Sequence, residues 1–165
     1  MSTDDQAPRE GRVETETGYS VTPANIRARL YVDQPLNAGS PIRLDEGPTH
    51  YLRNVLRCKG SECVSLFNNL SGEFTAEITK IGKKTTDLML VEQTRAPELA
   101  LDLWLLFAPI KRDRMDYMIQ KATEMGAGRL FPIMTRFTQG GKLNLQRLQA
   151  NAIEAAEQCG RLHVA

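Results

Sequence analysis

Lys111-Arg112-Asp113-Arg114-Met115-Asp116 sets three cations and two carboxylates directly behind an apolar run that ends at Ala108-Pro109. A helix starting there offers unpaired amides and a positive dipole end, which suit phosphate. Lys111, Arg112 and Arg114 can therefore meet an RNA backbone; equally, they can form a solvated first turn balanced by Asp113 and Asp116. A second block, Glu154-Ala155-Ala156-Glu157-Gln158-Cys159-Gly160-Arg161, puts Glu154, Glu157 and Arg161 on one helical face. Either Gln158 and Arg161 edge a cleft, or the carboxylates form an exposed network with Arg147 and Arg161. Arg136, just past a second apolar strand, is placed to touch a ligand or to pair with Asp113 or Glu124. Glu124 follows Lys121 by the spacing of a surface ion pair. His50, Arg53 and Arg57 lie on the polar side of a short helix, as a basic face for RNA or as a solvated face. Tyr31 and Tyr51 read as packing residues rather than base-stacking platforms.

Other chemistries lack their residues. There is no G-x-S-x-G, no P-loop and no G-x-G-x-x-G. Cys58, Cys63 and Cys159 are an odd number without CxxC spacing, and His50 and His163 have no ligand-spaced neighbours, so neither a disulfide framework nor a metal site is read. No run approaches the ~20 apolar residues of a membrane span. The N-terminus lacks the apolar core of a signal peptide, so the expected compartment is the cytoplasm. Across 165 residues, 25% charged with a net charge of +1, the overall balance selects no partner.

The elements that must position these residues fall into two units. Residues 1–24 are polar and acidic, and are expected to be a disordered tail. Residues 25–95 read as a small β-barrel. Ile26–Val32 alternates, Glu62–Phe67 is a strand, Asn68-Asn69-Leu70-Ser71-Gly72 is a turn, and Phe74, Ala76 and Ile78 share a face of the next strand. Thr85–Val91 follows another turn. One helix interrupts the strands, with Thr49 as its N-cap and Leu52, Val55 and Leu56 inward.

Past a linker at Arg95–Glu98, Leu101–Phe107 is apolar enough for a parallel strand covered on both faces. A helix over Asp113–Met125 buries Met115, Met118, Ile119, Ala122 and Met125 and ends at Gly126. Leu130–Met134 is a second strand, confined to an edge or a bulge by Pro132. After a Gly140-Gly141 loop, Asn144 caps a helix over Leu145–Cys159, with Leu145, Leu148, Ala152, Ala155, Ala156 and Cys159 inward. Two βα units in series predict a right-handed parallel sheet. The fold class is mixed α/β.

His50-Tyr51-Leu52-Arg53-Asn54-Val55-Leu56-Arg57 and Leu66-Phe67-Asn68, with Gly72-Glu73-Phe74-Thr75-Ala76-Glu77-Ile78, resemble the N-terminal PUA-like domain of the RsmE family. Lys111–Asp116, Ile119–Gly126, Pro132, Thr135-Arg136 and Glu154–Arg161 resemble the start of its catalytic domain. The resemblance runs from Ile26 to the last residue, and Glu157-Gln158-Cys159-Gly160-Arg161 is its most specific part.

It implies a PUA-like barrel (25–95) and the first part of a SPOUT trefoil-knot domain (98–165). The implied function is methylation of N3 of one uridine in 16S ribosomal RNA of the small subunit, by a homodimer using S-adenosylmethionine. His50, Arg53 and Arg57, with Lys111 and Arg112, become the implied RNA contacts. Arg136, Glu157, Gln158 and Arg161 lie near the implied catalytic cleft. The family's Gly-Pro-Glu-Gly-Gly-type loop and Leu-Arg-x-Glu-Thr-Ala-type helix, which form the knot and the cofactor pocket, do not occur in these 165 residues. The chain is therefore expected to stop before the knot and to bind S-adenosylmethionine poorly. It is also expected to transfer no methyl group unaided and to expose apolar surface on Leu103–Phe107. The alternatives are a non-catalytic RNA-binding module, or an unrelated α/β protein whose charged clusters are all surface.

Overall fold

A computed structural model describes residues 26–138 and 143–165. The expected N-terminal tail and the Gly140-Gly141 loop lie outside them. Five strands make the first sheet: β1 (Ile26–Tyr31), β2 (Pro41–Leu44), β3 (Cys63–Asn68), β4 (Gly72–Ile81) and β5 (Thr86–Arg95). Their order is β1-β3-β4-β5-β2, with β1 parallel to β3 and the other pairs antiparallel. Period-two patterning sends Val64 and Leu66, Phe74, Ala76 and Ile78, and Leu88 and Leu90 to one face. Leu30 of β1 and Ile42 and Leu44 of β2 join that same core from opposite ends of the strand order, so the sheet curls around it. The expected barrel is thus a curled open sheet, because no β1–β2 pairing closes it among the described residues.

The hairpin between β3 and β4 turns where Asn68 Oδ1 accepts from the Leu70 and Ser71 amides, 3.0 and 2.6 Å away. Helix α1 (Glu46–His50) begins after Asp45, not at Thr49. Thr49 is fully buried and its hydroxyl donates to the Leu44 carbonyl. The helix widens into a π turn over Tyr51–Val55, where the Leu56 amide reaches back to the Tyr51 carbonyl. That extra residue per turn keeps Leu52 in the core but rotates Val55 out to 59% exposure, against the sequence expectation.

The second unit pairs β6 (Trp104–Phe107) with β7 (Arg129–Pro132) in parallel, Trp104 opposite Arg129 and Phe107 opposite Pro132. Helix α2 (Arg112–Glu124) connects them, and α3 (Leu145–Cys159) follows. Gly126, at φ 85°, ends α2 in the left-handed conformation that favours glycine. Asn144 caps α3, its Oδ1 accepting from the Arg147 amide at 3.1 Å. The core combines Phe107, Met115, Ile119, Leu148, Ala152 and Ala156 with Leu162 and Val164. Phe67 of β3 belongs to it as well, so the first sheet supplies part of the second unit's interior.

Several apolar positions depart from the expected inward faces. Met125, Leu145 and Cys159 are exposed because each lies at a helix end, beyond the reach of the opposing helix. Leu101, Leu103, Trp104 and Leu106 are about half exposed, so β6 is covered on one face rather than both.

Candidate RNA-binding and active-site region

The sequence candidates lie in three places. His50, Arg53 and Arg57 are exposed around α1. The Arg53 guanidinium donates to the Gly82 carbonyl at 3.3 Å, which seats it beside the β4–β5 turn bearing Lys83 and Lys84. Arg57 occupies a left-handed backbone position at φ 55°, where the chain leaves the helix. Tyr51 is exposed, whereas Tyr31 packs edge-on against Phe67, with ring centroids 5.7 Å apart.

Lys111 is the N-cap of α2 and Arg112 its first residue; both are exposed at the carboxyl end of β6. Arg136 is exposed past β7, its guanidinium 5.6 Å from the Phe137 ring. Glu124 pairs with Lys121 at 2.7 Å, and Asp116 with Arg147. Gln158 lines a groove of about 340 Å³ between α2 and α3, with Asp113, Tyr117, Asn151 and Glu154.

Glu157 and Arg161 are turned toward the junction between the units. A Glu157 oxygen accepts from the Tyr31 amide at 2.9 Å. Burial is the main reason its carboxyl is held above the usual range; the Tyr31 amide and Arg29 act in the opposite sense. The Arg161 Nε donates to the Glu124 carbonyl at 3.2 Å, and its guanidinium covers Gly126. The expected network of Glu154 and Glu157 with Arg147 and Arg161 is replaced by these separate partners.

The most heavily bonded polar cluster of the junction was not singled out from sequence. Glu73 is buried between Arg29 (Nε to Oε1, 2.9 Å) and Arg95 (Nη1 to Oε2, 3.2 Å), and accepts from the Ser65 hydroxyl. Burial pushes its carboxyl up, but the two arginines and Ser65 outweigh that and hold it below the usual carboxylate range. The guanidinium of Arg29 lies 3.6 Å from the Phe67 ring centroid. Nearby, Asn69 exchanges two 2.9 Å bonds with the Val164 backbone, as a neighbouring strand would. A signal was present: β3 carries apolar residues on both faces, Val64 and Leu66 on one and Phe67 on the other, as a strand covered on both sides does.

A curled sheet with exposed cations around α1 is followed by a parallel βα unit with further cations at its strand ends. Residues 44–88 match the RNA methyltransferase PUA domain, and residues 97–165 match the RNA methyltransferase domain. The chain is 38% identical, over 135 residues, to ribosomal RNA small subunit methyltransferase E of Rickettsia conorii; the match covers 81% of this chain and 55% of that protein. Among solved structures it resembles ribosomal RNA small subunit methyltransferase E of Neisseria gonorrhoeae bound to S-adenosylmethionine. There the TM-score is 0.72 at 29% identity, over 83% of this chain and 58% of that one. A Legionella pneumophila methyltransferase in complex with the same cofactor gives a TM-score of 0.72 at 28% identity, over 83% and 60%. The chain belongs to the RsmE family. It spans about half the length of the curated relatives it matches.

Proposed function

We propose that this chain serves the S-adenosylmethionine-dependent methylation of N3 of a specific uridine in 16S ribosomal RNA. The observation that carries this reading is the succession, in one chain, of an RNA methyltransferase PUA domain and an RNA methyltransferase domain. Residues 25–95 form the RNA-holding domain and residues 98–165 the first part of the methyltransferase domain. His50, Arg53 and Arg57, with Lys111 and Arg112, contact the RNA backbone, since all five are exposed hydrogen-bond donors and four are cations. Arg136 borders the catalytic cleft at the carboxyl end of β7, whereas Gln158, in the α2–α3 groove, and Arg161, packed at the end of α2, serve it only by positioning α3. Glu157 serves that region through the Tyr31 amide it holds. The working form is a homodimer on the small ribosomal subunit in the cytoplasm. No helix among the described residues is long and apolar enough to cross a membrane, and no group of three His, Cys, Asp or Glu side chains there is placed to hold a metal.

The residues described do not by themselves fit the adenosyl cofactor. Ile110, Ile133, Met134 and Phe137, at the carboxyl ends of β6 and β7, are all exposed, so this end is an open face rather than a pocket. That same openness favours a second reading, a module that binds RNA without catalysis.

The test measures transfer of a labelled methyl group from S-adenosylmethionine to small ribosomal subunits lacking the modification, together with subunit binding. Methylation at uridine N3 supports the first reading. Tight binding without transfer, and without saturable cofactor binding by calorimetry, supports the second. Neither binding nor transfer refutes both.

A further inference from the structure

Two guanidinium groups of the first sheet reach across to the end of α3. Arg29 Nη1 donates to the Ala156 carbonyl at 2.8 Å, and Nη2 to the Arg161 carbonyl at 2.9 Å. Arg95 Nη1 donates to the Gly160 carbonyl at 2.8 Å. The last carbonyls of a helix lack intrahelical partners and carry its negative dipole end, so cations suit this place. Glu73 ties both arginines together from behind. We propose that Arg29 and Glu73 are positioning residues for RNA binding. They lock the last turn of α3 onto the PUA-like sheet, so that cations of both units meet one RNA as a rigid surface. The inference rests on the RNA reading above.

The geometry favours locking over mere adhesion. An apolar contact tolerates sliding, whereas planar guanidinium forks aimed at three carbonyls fix rotation as well as distance. The Arg29 and Glu73 side chains are only 15% and 10% exposed, so neither is free to touch RNA. The exposed candidates stand on both sides of the lock, with Arg53 and Arg57 on the first unit and Lys111 and Arg112 on the second. With the units held, engagement of the second set is intramolecular; once they are released, that gain in effective concentration falls.

The test compares binding of assembled small ribosomal subunits by the unaltered chain, Glu73→Gln, Arg29→Gln and Arg53→Ala over a range of salt. Folding is checked by circular dichroism. Glu73→Gln and Arg29→Gln are expected to bind about tenfold more weakly with an unchanged salt slope, because no phosphate contact is lost. Arg53→Ala is expected to lower the slope by about one. Folded Glu73→Gln that binds like the unaltered chain overturns the lock. So does an Arg29→Gln slope reduced by about one, which would make Arg29 a direct phosphate contact. If Arg29→Gln does not fold, Arg29→Lys, which keeps the charge but loses the fork, takes its place with the same expected loss. No binding by the unaltered chain refutes the RNA reading instead.

Discussion

Gly126 and Gly160 end the two long helices in the same left-handed conformation, at φ 85° and 75°, yet alanine should cost more at one than at the other. For any L residue this backbone region costs about 1–2 kcal/mol. At Gly160 nothing lies within 4 Å of an added methyl, so that conformational cost is the whole effect. At Gly126 the methyl would stand 2.9 Å from the Cζ and both terminal nitrogens of Arg161. The guanidinium is the far end of a flexible side chain and moves aside, giving up its bond to the Glu124 carbonyl. That loss adds about 1 kcal/mol, for a total of about 2–3 kcal/mol. Urea unfolding with linear extrapolation measures each value. The decisive comparison is a double-mutant cycle. Gly126→Ala in an Arg161→Ala background should cost no more than Gly160→Ala, which isolates a coupling of about 1 kcal/mol. A coupling below about 0.3 kcal/mol, inside the usual scatter of additive sites, would show that Arg161 does not rest on Gly126.

Stability should also depend on pH through Glu73. Its folded-state carboxyl titrates below the ordinary glutamate value of about 4.3, so its contribution is complete above that value and disappears as the pH falls through the depressed one. Glu73→Gln should cost about 3 kcal/mol at neutral pH and show a flatter acid limb; an identical limb would refute the pairing. Glu157 has the opposite sign. Its raised value makes its contribution complete below the ordinary glutamate value and lost as the pH rises through the folded one, so Glu157→Gln should keep the Tyr31 bond and its stability at neutral pH. Gly128→Ala would drive a methyl into the Leu101 carbonyl oxygen, a backbone atom that cannot swing away. A loss of about 3 kcal/mol or more in thermal unfolding is expected, and a neutral result would contradict the close approach of the two segments.

Periodicity made the hairpin, α2 and α3 readable, because each has one apolar face and marked ends; the parallel β6–β7 pair was readable from two apolar runs flanking a helix, although β6 is covered on one face only. Asn144 and Gly126 act as the start and stop signals they resemble. What escaped is long-range. The strand Pro41–Leu44 has only four residues and opens on a proline, too little to announce itself. The π turn depends on how α1 meets the sheet core, which no local pattern encodes. Glu73 and Arg29 alternate with core residues and read as solvent-facing, yet a unit more than 80 residues downstream covers them. The site candidates were legible as residue types, but their partners were not. Glu157 and Arg161 share a helical face in the sequence, while in the fold one turns to Tyr31 and the other to the end of α2.

Trp104 is the chain's one tryptophan, stacked on Phe131 with ring centroids 5.3 Å apart and lying under the Arg129 guanidinium at 4.8 Å. It is 49% exposed on the β6–β7 face. Its intrinsic fluorescence is therefore a built-in local probe. Anything that settles on that face should shift the emission toward the blue and shield it from iodide quenching. Events confined to the first sheet should leave the spectrum alone.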